Sequence, residues 1–151
     1  MAKAILVGRN TRFYWNVDEN VGPGCPNKLE DVHLVQLAFF CKANNPKYPV
    51  SPEEKAAYSA VMVGAFYSGA PGDPLSIAIE ILQKKKGGVQ DGRISSIESS
   101  SGMYAEDHGW LLIPLNNNIL DSSGGIWPSI DKHPQCTAAL SAAVTRVFVR
   151  T

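Results

Sequence analysis

The sequence predicts a mainly α-helical domain with a small β component, an α+β arrangement, and three observations lead there. Residues 72–95, GDPLSIAIEILQKKKGGVQDGRIS, spell a capped amphipathic helix, a glycine stop and a reverse turn. Residues 27–43 are apolar over most of a helical surface. Ser51-Pro52-Glu53-Glu54 is a complete helix start, with a serine cap, proline at the first position and glutamate three residues after the cap. At 151 residues the chain reads as one domain, 1–151, long enough to bury a core without metal or disulfide staples.

Taken in order, Ala4 to Val7 and Phe13 to Val17 are rich in branched and aromatic residues around Gly8-Arg9-Asn10, which predicts a small hairpin. Asn20 to Pro26 is crowded with breakers and reads as a rigid loop. Asn27 and Glu30 form a loose capping box for a helix running to about Ala43. Leu29, Val32, Val35 and Phe39 share one side of it, and Leu34, Leu37 and Cys41 form a second stripe, so it should be the central helix. Gln36 sits among these apolar positions, where its amide is expected to tie down a neighbouring loop. Asn44 to Val50 is a connector, and the helix opened by Ser51 should be short. Val61, Val63 and Phe66 around Gly64 then read as a strand with a turn.

In the helix after Asp73-Pro74, Leu75, Ala78, Ile79 and Leu82 share one face and Ile77 and Ile81 widen it, leaving Glu80, Gln83 and Lys84 towards water. Lys84-Lys85-Lys86 suits the negative end of the helix dipole, and Gly87-Gly88 ends the helix before the Asp91-Gly92 turn. Ser95 to Gly102 reads as a linker or exposed loop. Residues 110–115 are either a strand ending at Pro114 or the start of a helix running to Leu120. Asn116-Asn117-Asn118 and Ser122 to Gly125 have turn composition, and Trp127-Pro128 begins an ordered loop. A last helix is expected over 134–147, burying Leu140, Ala143, Val144 and Val147.

Fourteen basic and fourteen acidic residues cancel, so there is no global field to draw in nucleic acid or an anionic membrane. No segment approaches the ~18 apolar residues of a membrane span. The N-terminus lacks a signal-peptide pattern, which leaves a soluble protein, cytoplasmic or exported by a signal-independent route. Three cysteines, Cys25, Cys41 and Cys136, cannot all pair; reduced thiols are expected, with one disulfide plus one thiol left open. Cys25, His33 and Cys41 are spaced eight apart and only His133 and Cys136 are close, which is not a zinc framework. No metal or other cofactor is expected. Cys136 near His133 is the one thiol and imidazole pair close in sequence, with no oxyanion site beside it. Glu106-Asp107-His108 and Asp131-Lys132-His133 read as solvated polar loops, so no catalytic residue is expected.

Val63-Gly64-Ala65-Phe66 precedes the helix at Pro74 and Val89 to Ile94 follows it with a similar apolar, glycine, apolar pattern. With Val32, Val35 and Gln36 in the preceding helix and Ile77 to Gln83 between the turns, this order resembles the peptidoglycan-binding-like domain. That family runs as a V-x-x-L-Q helix, a V-D-G turn, an A-I-x-x-F-Q helix and a second D-G turn, here Asp91-Gly92. The resemblance covers about residues 27–95, with 1–26 and 96–151 as extensions packed on that core. Here Met62-Val63 leaves no room for the first aspartate, and Ile81-Leu82 replaces an aromatic.

The resemblance implies a compact helical bundle and non-catalytic binding of cell-wall peptidoglycan, through its glycan or peptide stem. The alternative is the same fold used as a protein-interaction module, with a protein partner and no glycan. Sugar binding needs an aromatic face with polar groups around it, and the two related turns offer Phe66, Tyr67, Asp91 and Arg93 as ligand-binding candidates. Trp110 and Trp127 are possible further platforms.

Overall fold

The computed structural model describes the backbone over residues 3–7, 12–97 and 111–149, and side chains over 14–97 and 111–145. The hairpin forms as expected: β1 (Lys3–Val7) and β2 (Arg12–Asn16) pair antiparallel, with Ala4 opposite Trp15 and Ile5 opposite Tyr14. Among the described residues five helices follow, α1 (Leu29–Ala43), α2 (Pro52–Ser59), α3 (Pro74–Lys86), α4 (Leu112–Ser122) and α5 (Ala138–Val149), with one 3-10 turn at Ile130–Lys132. The protein is mainly helical, and α1 packs against α2, α4 and α5 while the hairpin lies on α4 and α5. No helix among the described residues is long and apolar enough to cross a membrane.

Helix α1 is central because residues 31–39 are all buried, so neighbours can pack on every side of it. Leu29 is exposed instead of buried, since it is the first helical residue, ahead of that buried run. The expected cap at Asn27 does not form either. Lys28 occupies the cap position without a side-chain bond. The Asn27 carboxamide is engaged elsewhere, accepting from Gly22 N–H at 2.8 Å and donating to Gly22 C=O at 2.9 Å. Asp31, buried in the first turn, accepts from the Asp18 and Glu19 amides and so ties the chain after β2 to α1. Val21 and Ile94 pair as an isolated bridge there, with N–H to O distances of 3.0 and 2.7 Å. A Cβ on Gly22 would fall 2.5 Å from Gly92 O and 2.8 Å from Arg93 Cα, so this backbone approach requires glycine.

The helix starts read at Ser51 and at Asp73 are present. Ser51 and Glu54 make the reciprocal capping box of α2, and Asp73 caps α3 by accepting from Leu75 N–H. Gly87 closes α3 in the left-handed region at φ 76°. Residues 60–66 are not a strand. Their backbone groups are taken by turns and by Gln36, whose Oε1 accepts from Gly64 N–H at 2.9 Å while Nε2 donates to Ala65 C=O at 3.0 Å. Gln83, expected to face water, is buried and repeats this geometry on the second turn. Its Oε1 accepts from Gly92 N–H at 2.9 Å and its Nε2 donates to Arg93 C=O at 3.0 Å.

Of the two readings of residues 110–115, the helix holds, with Pro114 in the first turn of α4. Asn116 to Asn118 lie inside α4 and not in a turn, because two of their carboxamides find helix-compatible partners. Asn116 donates to Leu112 C=O and to Trp15 C=O and accepts from Trp15 N–H, and Asn118 donates to Pro114 C=O. Helix α5 begins at Ala138, later than expected, after a turn in which Thr137 Oγ1 accepts from Leu140 N–H. Leu140, Ala143 and Val144 are buried as expected, while the Val147 side chain, Trp110, residues 98–102 and Glu106-Asp107-His108 lie outside the description.

Removing the Gln36 amide leaves Gly64 N–H and Ala65 C=O without their partner, so Gln36→Met should cost about 1–3 kcal/mol of stability. Gln83→Met should act similarly, and Gln90→Met, on an exposed side chain, should not. Urea unfolding midpoints decide it, and equal midpoints for the Gln36 and Gln90 variants would sink the role assigned to these amides.

Candidate functional site

The four residues proposed from sequence come from the two glutamine-held turns, but they do not form one face. Phe66 is 89% exposed, whereas Tyr67 is 9% exposed with its hydroxyl 2.6 Å from Ser76 Oγ, and burial raises its pKa. Asp91 accepts from Gln83 Nε2 and from Arg93 N–H, which makes it the stabiliser of its own turn. Burial alone would raise the Asp91 carboxyl, yet the hydrogen bonds from Gln83 and Arg93 bring it below its ordinary value. Arg93 Nε donates to Pro23 C=O, and Gly69, beyond Tyr67, lies against Asn27. The Asn20–Asn27 loop therefore touches both Arg93 and Gly69.

A cleft of about 780 Å³ opens elsewhere, where the C-terminal ends of α1 and α3 meet α4 and β2. Its cations are Lys42 from the last turn of α1, Lys47 from the connector and Lys86 from the end of α3. Lys47 is 3.8 Å from Asp121 Oδ1 and 5.2 Å from the centre of the Tyr48 ring. Among the described residues neither Lys42 nor Lys86 has an ion-pair partner. Lys42 Nζ lies 5.9 Å from the centre of the Tyr58 ring, and burial, then the Lys86 charge, lower its pKa. The rings lining the cleft are Tyr14, Tyr48 and Trp127, and Asn117 adds an amide. Tyr14 is 2% exposed, and among the described residues its hydroxyl has no hydrogen-bond partner.

Trp127 was legible as a possible platform, but Tyr14, Lys42 and Tyr48 were not singled out. Tyr48 carried one local signal, an aromatic ring between Pro46 and Pro49 in an otherwise polar connector. Tyr14 carried none, since a strand aromatic is ordinarily a core residue.

A third cluster joins α1, α4 and the segment after the 3-10 turn. Ser122 Oγ lies 2.9 Å from Cys41 Sγ and 3.3 Å from His133 Nε2, with Cys41 Sγ 3.8 Å from the same nitrogen. Sequence spacing had drawn attention to Cys136 beside His133, and the structure places Cys41 against the ring instead. Gln135 N–H donates to His133 Nδ1 at 3.1 Å, so the neutral ring carries its proton on Nε2. That nitrogen donates towards Ser122 and Cys41 and is not poised to take a proton from either. Burial pushes the Cys41 thiol up to about 11 against a smaller opposing effect of Ser122, and burial, then Asp131, raise Cys136 to about 11. Among the described residues no group of three His, Cys, Asp or Glu side chains is arranged to hold a metal ion. All three cysteines are free thiols.

Compared with protein-family models, with curated proteins and with solved structures, the chain finds no match in any of the three.

His133 and His33, the latter 2.6 Å from Thr137 Oγ1, both have pKa values lowered from 6.5 by burial. The unfolded chain therefore takes up protons first as pH falls through about 6.5, so stability is full above that value and declines below it. The decline stops once the folded-state rings protonate too. Urea midpoints should fall between about pH 7.5 and pH 5.5, less steeply in His133→Gln, and a flat profile over that window would refute the assignment.

Proposed function

We propose that this chain is a non-catalytic module that binds cell-wall peptidoglycan, with the cleft between α1, α3, α4 and β2 as its ligand site. The observation that carries the reading is the lining of that cleft, in which Tyr48 and Trp127 stand beside Asn117 and the lysines. Aromatic faces with amide and charged groups around them suit sugar rings bearing N-acetyl groups and acidic peptides. The volume of about 780 Å³ lies in the range of small-ligand sites. The resemblance over residues 27–95 supplies the ligand class, and the equivalent bonding of Gln36 and Gln83 to the two turns supports it.

A second reading, a protein-interaction module, has its own observation. Met62 and Phe66, 70% and 89% exposed, stand on the loop that Gln36 holds. Apolar side chains on a fixed loop suit a protein partner more than a sugar.

The test is sedimentation with insoluble peptidoglycan sacculi. The protein should pellet saturably, Tyr48→Ala should weaken this about fivefold, in line with loss of one aromatic contact, and Phe66→Ser should leave it unchanged. Retention in the supernatant at high sacculus excess would refute the wall-binding reading. Loss with Phe66→Ser or Arg93→Ala but not Tyr48→Ala would move the ligand to the two turns. Tyr67→Ala is unsuitable here, because it removes a buried aromatic and costs about 3–5 kcal/mol of stability.

A further inference from the structure

The two cleft lysines without an ion-pair partner come from different helices. Lys42 ends α1 and Lys86 ends α3, and both line the cleft that Tyr14 lines from β2. The one carboxylate lining the cleft among the described residues, Asp121, is occupied by Lys47 at 3.8 Å and by Asn45 Nδ2 at 3.1 Å. Glu54, whose field reaches Lys42, is 3.8 Å from Lys85 and also accepts from Ser51 and Tyr58. Two ammonium groups are thus left to an incoming anion. The Tyr14 hydroxyl is an independent indication. A buried polar atom is nearly always paired, and among the described residues this one, on a side chain that lines the cleft, has no partner.

Resting on the wall-binding reading, we propose that the Lys42–Lys86 end of the cleft is a carboxylate subsite for the acidic peptide stem. In it Tyr14 Oη donates the hydrogen bond that its burial leaves unmade. A singly charged carboxylate suits the place better than a phosphate. Helices α1 and α3 reach it by their C-terminal ends, where the dipole is negative, and no arginine among the described residues lines it. The subsite therefore selects for stems and not for the neutral sugar backbone, with the rings at Tyr48 and Trp127 taking the rest of the ligand.

Calorimetry on the full chain tests this with four probes: a disaccharide-peptide with free carboxylates, the same compound amidated, an N-acetylglucosamine oligomer, and inorganic phosphate. The free acid should bind about tenfold more tightly than its amide, the loss expected for one charge-assisted hydrogen bond. Lys42→Gln/Lys86→Gln should abolish that preference, and Lys84→Gln, in the same lysine run but not among the residues lining the cleft, should keep it. Tyr14→Phe should weaken binding severalfold while raising the melting temperature, because it deletes an unpaired buried hydroxyl; a purely structural tyrosine would not show this opposition. Equal affinity for acid and amide, with sacculus sedimentation intact, overturns the subsite and leaves the wall-binding reading standing. No binding to either, with no sedimentation, overturns both. Phosphate competing as strongly as the free acid overturns the carboxylate assignment.

Discussion

The structure depends on side-chain carboxamides that bond to backbone groups which the strands and helices leave unpaired. Five of them offer both an N–H and a C=O: Gln36 to the 64–65 turn, Gln83 to the 92–93 turn, Asn27 to Gly22, Asn116 to Trp15 and Asn16 to Ile97. A carboxamide presents one donor and one acceptor side by side, as a peptide group does, so each acts as one rung of a ladder without a second strand. The need is set by topology. The stretches 17–28, 60–73 and 87–97 run beside the core in irregular conformation, and their buried polar groups must be met by something. Each such bond adds only about 1 kcal/mol net, but its loss strands two groups at once.

This dependence also positions the cleft. Its walls come from β2, from the ends of α1 and α3, and from α4, which are distant in sequence. Asn116 fixes β2 against α4 by gripping both polar groups of Trp15, next to Tyr14, while Trp15 Nε1 donates to Pro128 C=O beside Trp127. On the far side, α2 links α1 to α3: Phe39 and Tyr58 pack with ring centres 5.2 Å apart, and Glu54 meets Lys85. Lys42 and Lys86 thus line the same cleft from the ends of two helices. Burial, then the Lys86 charge, lower the Lys42 pKa, and the field of Glu54 offsets this only in part.

What was legible in the sequence was what local chemistry decides. Ser51 to Glu54 and Asp73-Pro74 to Gly87 specify helix ends within a few residues, and those helices start and stop where the caps lie. Gln36 was legible as a loop tie because an amide in an apolar face must have a partner. The failures share one cause. Asn27 was taken for a cap, Gln83 for a solvent residue and Asn116 for a turn former, and each of these amides instead clamps backbone, Asn27 within its own loop and Gln83 and Asn116 on another segment. The same residue type favours caps, turns and buried clamps, and only the tertiary fold chooses among them. The cleft was illegible for a related reason, since Tyr14 and Lys86 are 72 positions apart and nothing local joins them.

The buried clusters differ in how completely they satisfy themselves, and that difference bears on where function lies. Around His133 the groups are internally matched: Gln135 N–H fills Nδ1, Nε2–H faces Ser122 and Cys41, and Ser122 also lies near Ile119 C=O. Such a network stabilises by being closed, and taking up a proton or losing one disturbs it. The cleft is the reverse case. Among the described residues it holds a buried hydroxyl with no hydrogen-bond partner and two ammonium groups with no ion-pair partner, an arrangement that costs stability. Local disagreement with the rules that stabilise the rest of the chain is the usual mark of a site whose missing partner comes from outside. On that ground the cleft is the place where the described residues leave a hydroxyl and two ammonium groups open.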